Sequence, residues 1–181
     1  MTEEDRVRWD DRYARLGAAP IGSAAAPALL APFEHCFPSA GNALDIACGQ
    51  GYGAVWLAER GLEVWGLDCS PVAIGQAGDL ARRSGVSDRC RFDVVDLDDG
   101  LPSGPPVDVV LCHRFRDPRL DRAVVERLAP GGLLAITALS EVGAEPGRFR
   151  VRPGELPAAF AALDVVAAGE GHGEAWLVAR A

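Results

Sequence analysis

Apolar residues recur along this chain in two different rhythms. Ala43, Leu44, Ile46 and Ala47 form a short run interrupted only by Asp45, which suits a strand buried inside a parallel sheet. Leu62–Leu67, Arg91–Val95, Val107–Cys112 and Gly132–Ala138 read as four further strands. Helical spacing fills the gaps between them. Val55 with Leu57 and Ala58, then Ala73, Ala77, Leu80 and Ala81, then Leu120, Val124 and Leu128 each mark one packing face. Ser70-Pro71 and Asp117-Pro118 are cap-then-proline helix starts, and Gly61 is a suitable stop for the helix that begins near Gly53. At the front, Thr2 and Asp5 open a helix that runs to about Leu16, and a second helix is expected over Ala28–Cys36. Leu139–Arg152 reads as a long irregular segment, followed by a short helix within Pro153–Ala161. Leu163–Ala168 and Ala175–Ala179 are two closing strands joined through Gly169–Gly173 as a hairpin. Strands that alternate with helices imply a doubly wound α/β fold with a mostly parallel sheet.

The stretch Ala43–Gly61 organises the chemistry. Gly49, Gly51 and Gly53 follow the first strand at alternate positions and open a helix. Such a turn permits positive φ and presents free N–H groups and a positive helix end to a ligand. The spacing Gly49-x-Gly51-x-x-Ala54 also fits the dinucleotide fingerprint, so the glycines alone do not choose the ligand. Asp68 ends the next strand, where a carboxylate can accept hydrogen bonds from ribose hydroxyls of either NAD or S-adenosylmethionine.

Leu44-Asp45-Ile46-Ala47-Cys48-Gly49-Gln50-Gly51-Tyr52-Gly53, Val64–Pro71 and Asp96-Leu97, in this order, resemble the class I S-adenosylmethionine-dependent methyltransferases. Leu128–Leu134 is similar to the turn before that family's fifth strand. Trp9–Tyr13 and Arg152–Leu156 resemble, on shorter matches, the compact bacterial methyltransferases of the tellurite and thiopurine type. The resemblance implies a seven-stranded sheet ending in an antiparallel hairpin, within one domain spanning residues 1–181. In it, residues 1–38 supply helices covering the site and residues 39–181 form the Rossmann-like core. It implies S-adenosylmethionine as cofactor, with the methionine part near Asp45, Gly49 and Gly51, the ribose on Asp68, and the adenine between Cys69 and Asp96-Leu97. Cys112 completes that set at the end of the fourth strand. The segments at the C-terminal edge of the sheet supply the acceptor-side candidates: His113, which follows the fourth strand where the family often places active-site groups and is a candidate base, with Arg114, Phe115, Arg148, Arg150 and His172 in loops at the same edge. Trp9 and Tyr13, four apart on one helix face, either cover the site or simply pack the helix.

Composition narrows the partners. Net charge is −8, which argues against nucleic acid as the main partner, and all 18 basic residues are arginine. The five cysteines are scattered without paired spacing, which suggests neither a metal site nor a disulfide framework and suits a reducing cytoplasm. The start is acidic rather than a signal peptide, and prolines break the uncharged stretch 17–33, so no membrane span is expected. The expected activity is methyl transfer to a small molecule by direct displacement. An NAD-dependent oxidoreductase is the rival enzyme, disfavoured because a chain without lysine has no Tyr-x-x-x-Lys pair. A non-catalytic S-adenosylmethionine-binding protein is the rival of another class.

Overall fold

The computed structural model describes residues 3–147 and 149–181. The chain forms two compact units. One comprises the chain up to Ala26 with Pro38–Gly100, and the other Pro27–Phe37 with Leu101–Ala181.

The first unit begins with α1 (Glu3–Leu16), then continues through β1 (Gly41–Ile46), α2 (Tyr52–Glu59), β2 (Leu62–Asp68), α3 (Pro71–Arg83) and β3 (Cys90–Val94). Its strands lie in the order β3-β2-β1 and are all parallel, with Ala43 opposite Val64 and Val64 opposite Cys90. The last four residues of β1, Ala43–Ile46, are buried, Asp45 included, as the apolar run around that acid predicts. The start of α3 is set locally: Ser70 caps it, its Oγ accepting the Ala73 N–H at 3.1 Å, and Pro71 supplies a ready-made helical φ. Ala73, Ala77, Leu80 and Ala81 all face the core.

The second unit contains β4 (Val107–His113), α4 (Asp121–Arg127), β5 (Leu128–Ser140), β6 (Arg150–Val151), α5 (Glu155–Ala159), β7 (Asp164–Gly171) and β8 (Glu174–Arg180). β4 and β5 are parallel, β8 pairs antiparallel with β5, and β7 pairs antiparallel with β8. Three strands in the first unit and β4, β5, β7 and β8 in the second make up the seven expected; the two-residue β6 is an addition.

Three local expectations change. The segment predicted as a helix over 28–36 forms a 3₁₀ helix at Ala31–Cys36; Pro32 has no N–H to bond back to Ala28, which disfavours an α-helix beginning there. That segment is anchored by Phe33, whose ring lies 4.8 Å from that of Trp176, and by Arg180, which donates to the Cys36 carbonyl at 3.0 Å. The segment 139–152 is less irregular than its composition suggests, since β6 pairs in parallel with Leu139 and Ser140. The closing hairpin is also tighter: pairing continues to Gly171 opposite Glu174, leaving His172 (φ 53°) and Gly173 (φ 80°) as a two-residue turn. Positive φ at both central residues is the primed geometry that matches strand twist. No helix among the described residues is long and apolar enough to cross a membrane.

Candidate functional site

The first unit assembles most of the expected cofactor residues around one turn. After β1 the backbone passes through positive φ at Ala47 (55°), Gly49 (54°) and Gly51 (81°). Asp68, at the end of β2, ties this turn down. Its Oδ2 accepts the Gly49 N–H at 2.9 Å and its Oδ1 the Ser70 N–H at 2.9 Å. The Cys69 amide and thiol also hydrogen-bond this carboxylate. Burial raises the Asp68 pKa against the pull of these donors. Asp45 lies deeper, only 2% exposed, and burial pushes it up to about 8, with the Ala54 amide opposing and Asp68 reinforcing the shift. Among the described residues, neither carboxylate has a basic side chain paired with it.

The glycines are required for reasons that spacing does not reveal. A Cβ on Gly51 would lie 2.8 Å from the Ala77 Cβ, so α3 itself demands the glycine. A Cβ on Gly49 would lie 2.9 Å from the Tyr13 hydroxyl. α1 is seated beside the turn. Gln76 donates to the Tyr13 carbonyl at 3.0 Å, Gln50 donates to the Gly17 carbonyl at 2.7 Å and to Gln76 Oε1 at 2.9 Å, and the Ser70 hydroxyl donates to Asp10. Trp9 stacks on Tyr13 at 5.9 Å, and burial, then the Asp68 charge, raises the Tyr13 phenol. Gln50, Gln76, Asp10 and Ser70 therefore fix the N-terminal helix; the sequence marked Ser70 as a cap and Gln50 and Asp10 only as parts of longer motifs, with no sign of Gln76. Asp96 turns the chain after β3 by accepting the Asp98 N–H at 2.9 Å, while Leu97 beside it is buried. Burial, then the Asp68 charge, pushes the Cys69 thiol up to about 12, so it is a neutral group there.

The second unit holds Cys112 and the acceptor-side candidates. Cys112 is buried, and its thiol donates to the Phe115 carbonyl at 3.3 Å. His113 and Thr137 are register partners across β4 and β5, and His113 Nδ1 lies 2.7 Å from Thr137 Oγ1. Partial burial and the Arg114 charge lower the His113 pKa, with Glu174 opposing. Arg114 directs its guanidinium to Glu174, its Nε donating at 2.8 Å. Arg150 donates through one nitrogen to the Ser140 carbonyl at 2.6 Å and the Gly173 carbonyl at 2.9 Å, so it clamps backbone instead of projecting toward an acceptor. His172 occupies the hairpin turn. Arg148 lies outside the described residues. Sequence reasoning passed over Arg116. Its side chain is 7% exposed, pairs with Asp121 and with Glu155 at 3.3 Å, and stands 5.8 Å from the Phe160 ring centre. An arginine in a polar loop gives no sign of burial until its partners on α4 and α5 are placed. Among the described residues, no group of three or more histidine, cysteine or acidic side chains is arranged to hold a metal.

Comparison with known proteins agrees with this geometry. The family described as "Methyltransferase domain" matches residues 43–132, about half of the chain. The ribosomal protein L11 methyltransferase of Photobacterium profundum is 34% identical over 105 residues, covering 56% of this chain and 35% of that protein. The 2-heptyl-1-hydroxyquinolin-4(1H)-one methyltransferase of Mycobacteroides abscessus is 31% identical over 115 residues, covering 59% of this chain and 49% of that protein. The match thus spans less than half the length of these curated relatives. Among solved structures, TehB from Haemophilus influenzae superposes with a TM-score of 0.75 at 17% identity, covering 95% of this chain and 66% of that one, which shows a shared fold. With the glycine turn, the acid that ends β2 and the family match over the same residues, the chain belongs to the class I S-adenosylmethionine-dependent methyltransferases.

Proposed function

We propose that this chain binds S-adenosylmethionine at the turn formed by Asp45, Gly49, Gly51 and Asp68, and directs its methyl group to a small-molecule acceptor. One observation carries the reading: two buried carboxylates, Asp45 and Asp68, border an amide-rich turn with no basic side chain paired to either among the described residues. Burial raises both pKa values, and ionisation of either acid calls for a neighbouring positive charge. A cationic ligand supplies it, whereas a dinucleotide would bring its anionic pyrophosphate toward two acids. Asp68 already accepts backbone amides, which fixes its oxygens in place at the end of β2, where a ribose hydroxyl would compete with or displace the Cys69 thiol. Cys69 and Leu97 offer an uncharged, largely buried surface for a base.

The sulfonium supplies a methyl group on an activated leaving group. The residues of the chain therefore have little bond-making to do. Their work is to hold the turn rigid, exclude water and align the acceptor, and positioning of this kind can lower a barrier by about 7–11 kcal/mol at best. α1, with Trp9 and Tyr13, is the element we assign to covering the cofactor, supported by the approach of Tyr13 to Gly49. A small acceptor is favoured over RNA by the net charge of −8, and one relative is named for a small hydroxyquinolone, while another is named for a ribosomal protein.

Titration calorimetry with S-adenosylmethionine, S-adenosylhomocysteine and NAD tests the cofactor. Heat is expected with the two sulfur compounds; heat with NAD alone would overturn the reading. Screening of thiols, phenols and oxyanions against RNA and protein acceptors tests the substrate class, and turnover of a macromolecule with no small acceptor would exclude it.

A further inference from the structure

His113 is the last residue of β4 and is exposed at the strand end, yet one of its ring nitrogens is committed. Thr137 is 1% exposed and its Oγ1 has two neighbours, the Arg114 N–H at 3.0 Å and His113 Nδ1 at 2.7 Å. An amide N–H can only donate, so Oγ1 is the acceptor in the first contact. The hydroxyl proton of a buried threonine then needs an acceptor of its own. His113 Nδ1 is the group in reach. Were Nδ1 protonated instead, Oγ1 would accept twice and its own proton would be left buried without a partner. The satisfied arrangement has Thr137 donating to Nδ1, which leaves the proton of the neutral ring on Nε2.

We propose that Thr137 fixes His113 as a hydrogen-bond donor through Nε2–H, so that this edge takes acceptors whose oxygen or sulfur ionises without a base from the protein. The inference deepens the methyltransferase reading and rests on it for the identity of the acceptor. A neutral imidazole held this way has no free lone pair with which to take a proton. It can hold an oxygen or sulfur lone pair on the acceptor. Thiols and acidic phenols or N-hydroxy compounds meet that requirement at neutral pH, and aliphatic alcohols do not. In the transfer itself, the bond from carbon to the ionised acceptor atom forms as the carbon–sulfur bond breaks, its electron pair returns to sulfur, and no proton moves. The lowered His113 pKa, from partial burial and Arg114, agrees with a ring kept neutral.

The tautomer can be observed without turnover. Proton–nitrogen correlation spectra of histidine-labelled protein, recorded at alkaline pH, distinguish Nδ1–H from Nε2–H for each of the three histidines. The His113 signals are identified by their loss in His113→Gln. The expected result is Nε2–H in the wild type. In Thr137→Val the Nδ1 resonance should move to its free position and the His113 pKa should rise, and Thr137→Ser should restore both. An Nδ1–H tautomer overturns the proposal, and that wild-type spectrum decides it even if Thr137→Val does not fold. With S-adenosylmethionine present, the rate with thiophenol should follow thiophenol's own ionisation, and an aliphatic alcohol should give at least hundredfold less product. Equal turnover of the alcohol would also overturn it. Failure of the underlying reading looks different: no binding of S-adenosylmethionine, whatever the tautomer.

Discussion

Charge is handled in opposite ways in the two units. Around the first unit's glycine turn, Asp45 and Asp68 are buried and, among the described residues, answered by backbone amides and a thiol and by no basic side chain. In the second unit three described arginines are matched within the fold: Arg114 to Glu174, Arg116 to Asp121 and Glu155, and Arg150 to two carbonyls. Matched charge holds a scaffold together and asks for nothing more. An unmatched buried acid has a raised pKa and a stored preference for a cation, beside which it can ionise. The contrast moves Arg150 from acceptor recognition to loop architecture, and it makes the turn the place where binding energy is available.

The largest expected effect tests the scaffold side. Arg116→Ala would leave Asp121 and Glu155 without their cation and should cost about 3 kcal/mol of stability, in the range seen when one partner of a buried ion pair is removed. Urea unfolding measures it, and the midpoint should fall while the affinity for S-adenosylhomocysteine stays within about twofold. A marked loss of affinity with unchanged stability would reverse the assignment of Arg116.

Asp68→Ala tests the other side. It removes the acceptor that holds the Gly49 and Ser70 amides, each charge-assisted bond being worth about 1.5–3 kcal/mol. Cofactor affinity should drop at least tenfold by calorimetry. Some stability should be lost as well, since the same carboxylate organises the turn. Unchanged affinity would show that the ribose is held elsewhere.

The pH dependence of binding is a smaller and sharper probe. The Asp45 pKa is raised to about 8 by burial, so the ligand-free fold holds a proton there at neutral pH. The stability this proton contributes is complete below the ordinary carboxylate range and is lost as pH rises through about 8. A cation favours the ionised form, so S-adenosylmethionine should bind more tightly as pH rises from 6 to 8, by up to about tenfold per unit. Asp45→Asn should flatten both trends. A pH-independent wild-type affinity would mean that Asp45 stays protonated in the complex.

The smallest effect concerns strain. Ala47 is a non-glycine residue at φ 55°, two residues ahead of Gly49. Ala47→Gly should relieve the strained conformation at the cost of unfolded-chain entropy, leaving a net gain of about 1 kcal/mol or less by thermal or urea unfolding. Destabilisation would show that the Ala47 methyl group packs well enough to outweigh the strain.

What the sequence determined by itself is local. The apolar run 43–47, the glycine turn, the Ser70-Pro71 cap and the single face of α3 are signals read within a few residues, because strand burial, capping and helical periodicity are short-range physics. The order of Asp45, Gly49 and Asp68 along the chain was enough to suggest the family, since each acts through its place in a β–turn–α unit. The tertiary structure alone decided which groups meet. Tyr13 reaches Gly49 across 36 residues of sequence, His113 finds Thr137 24 residues on, and Arg150 reaches Gly173 across 23. Nothing in a tyrosine, a threonine or an arginine specifies such partners. Their roles follow from burial and from the demand that every buried donor and acceptor be answered, and that demand acts only once the strands are paired and the helices docked.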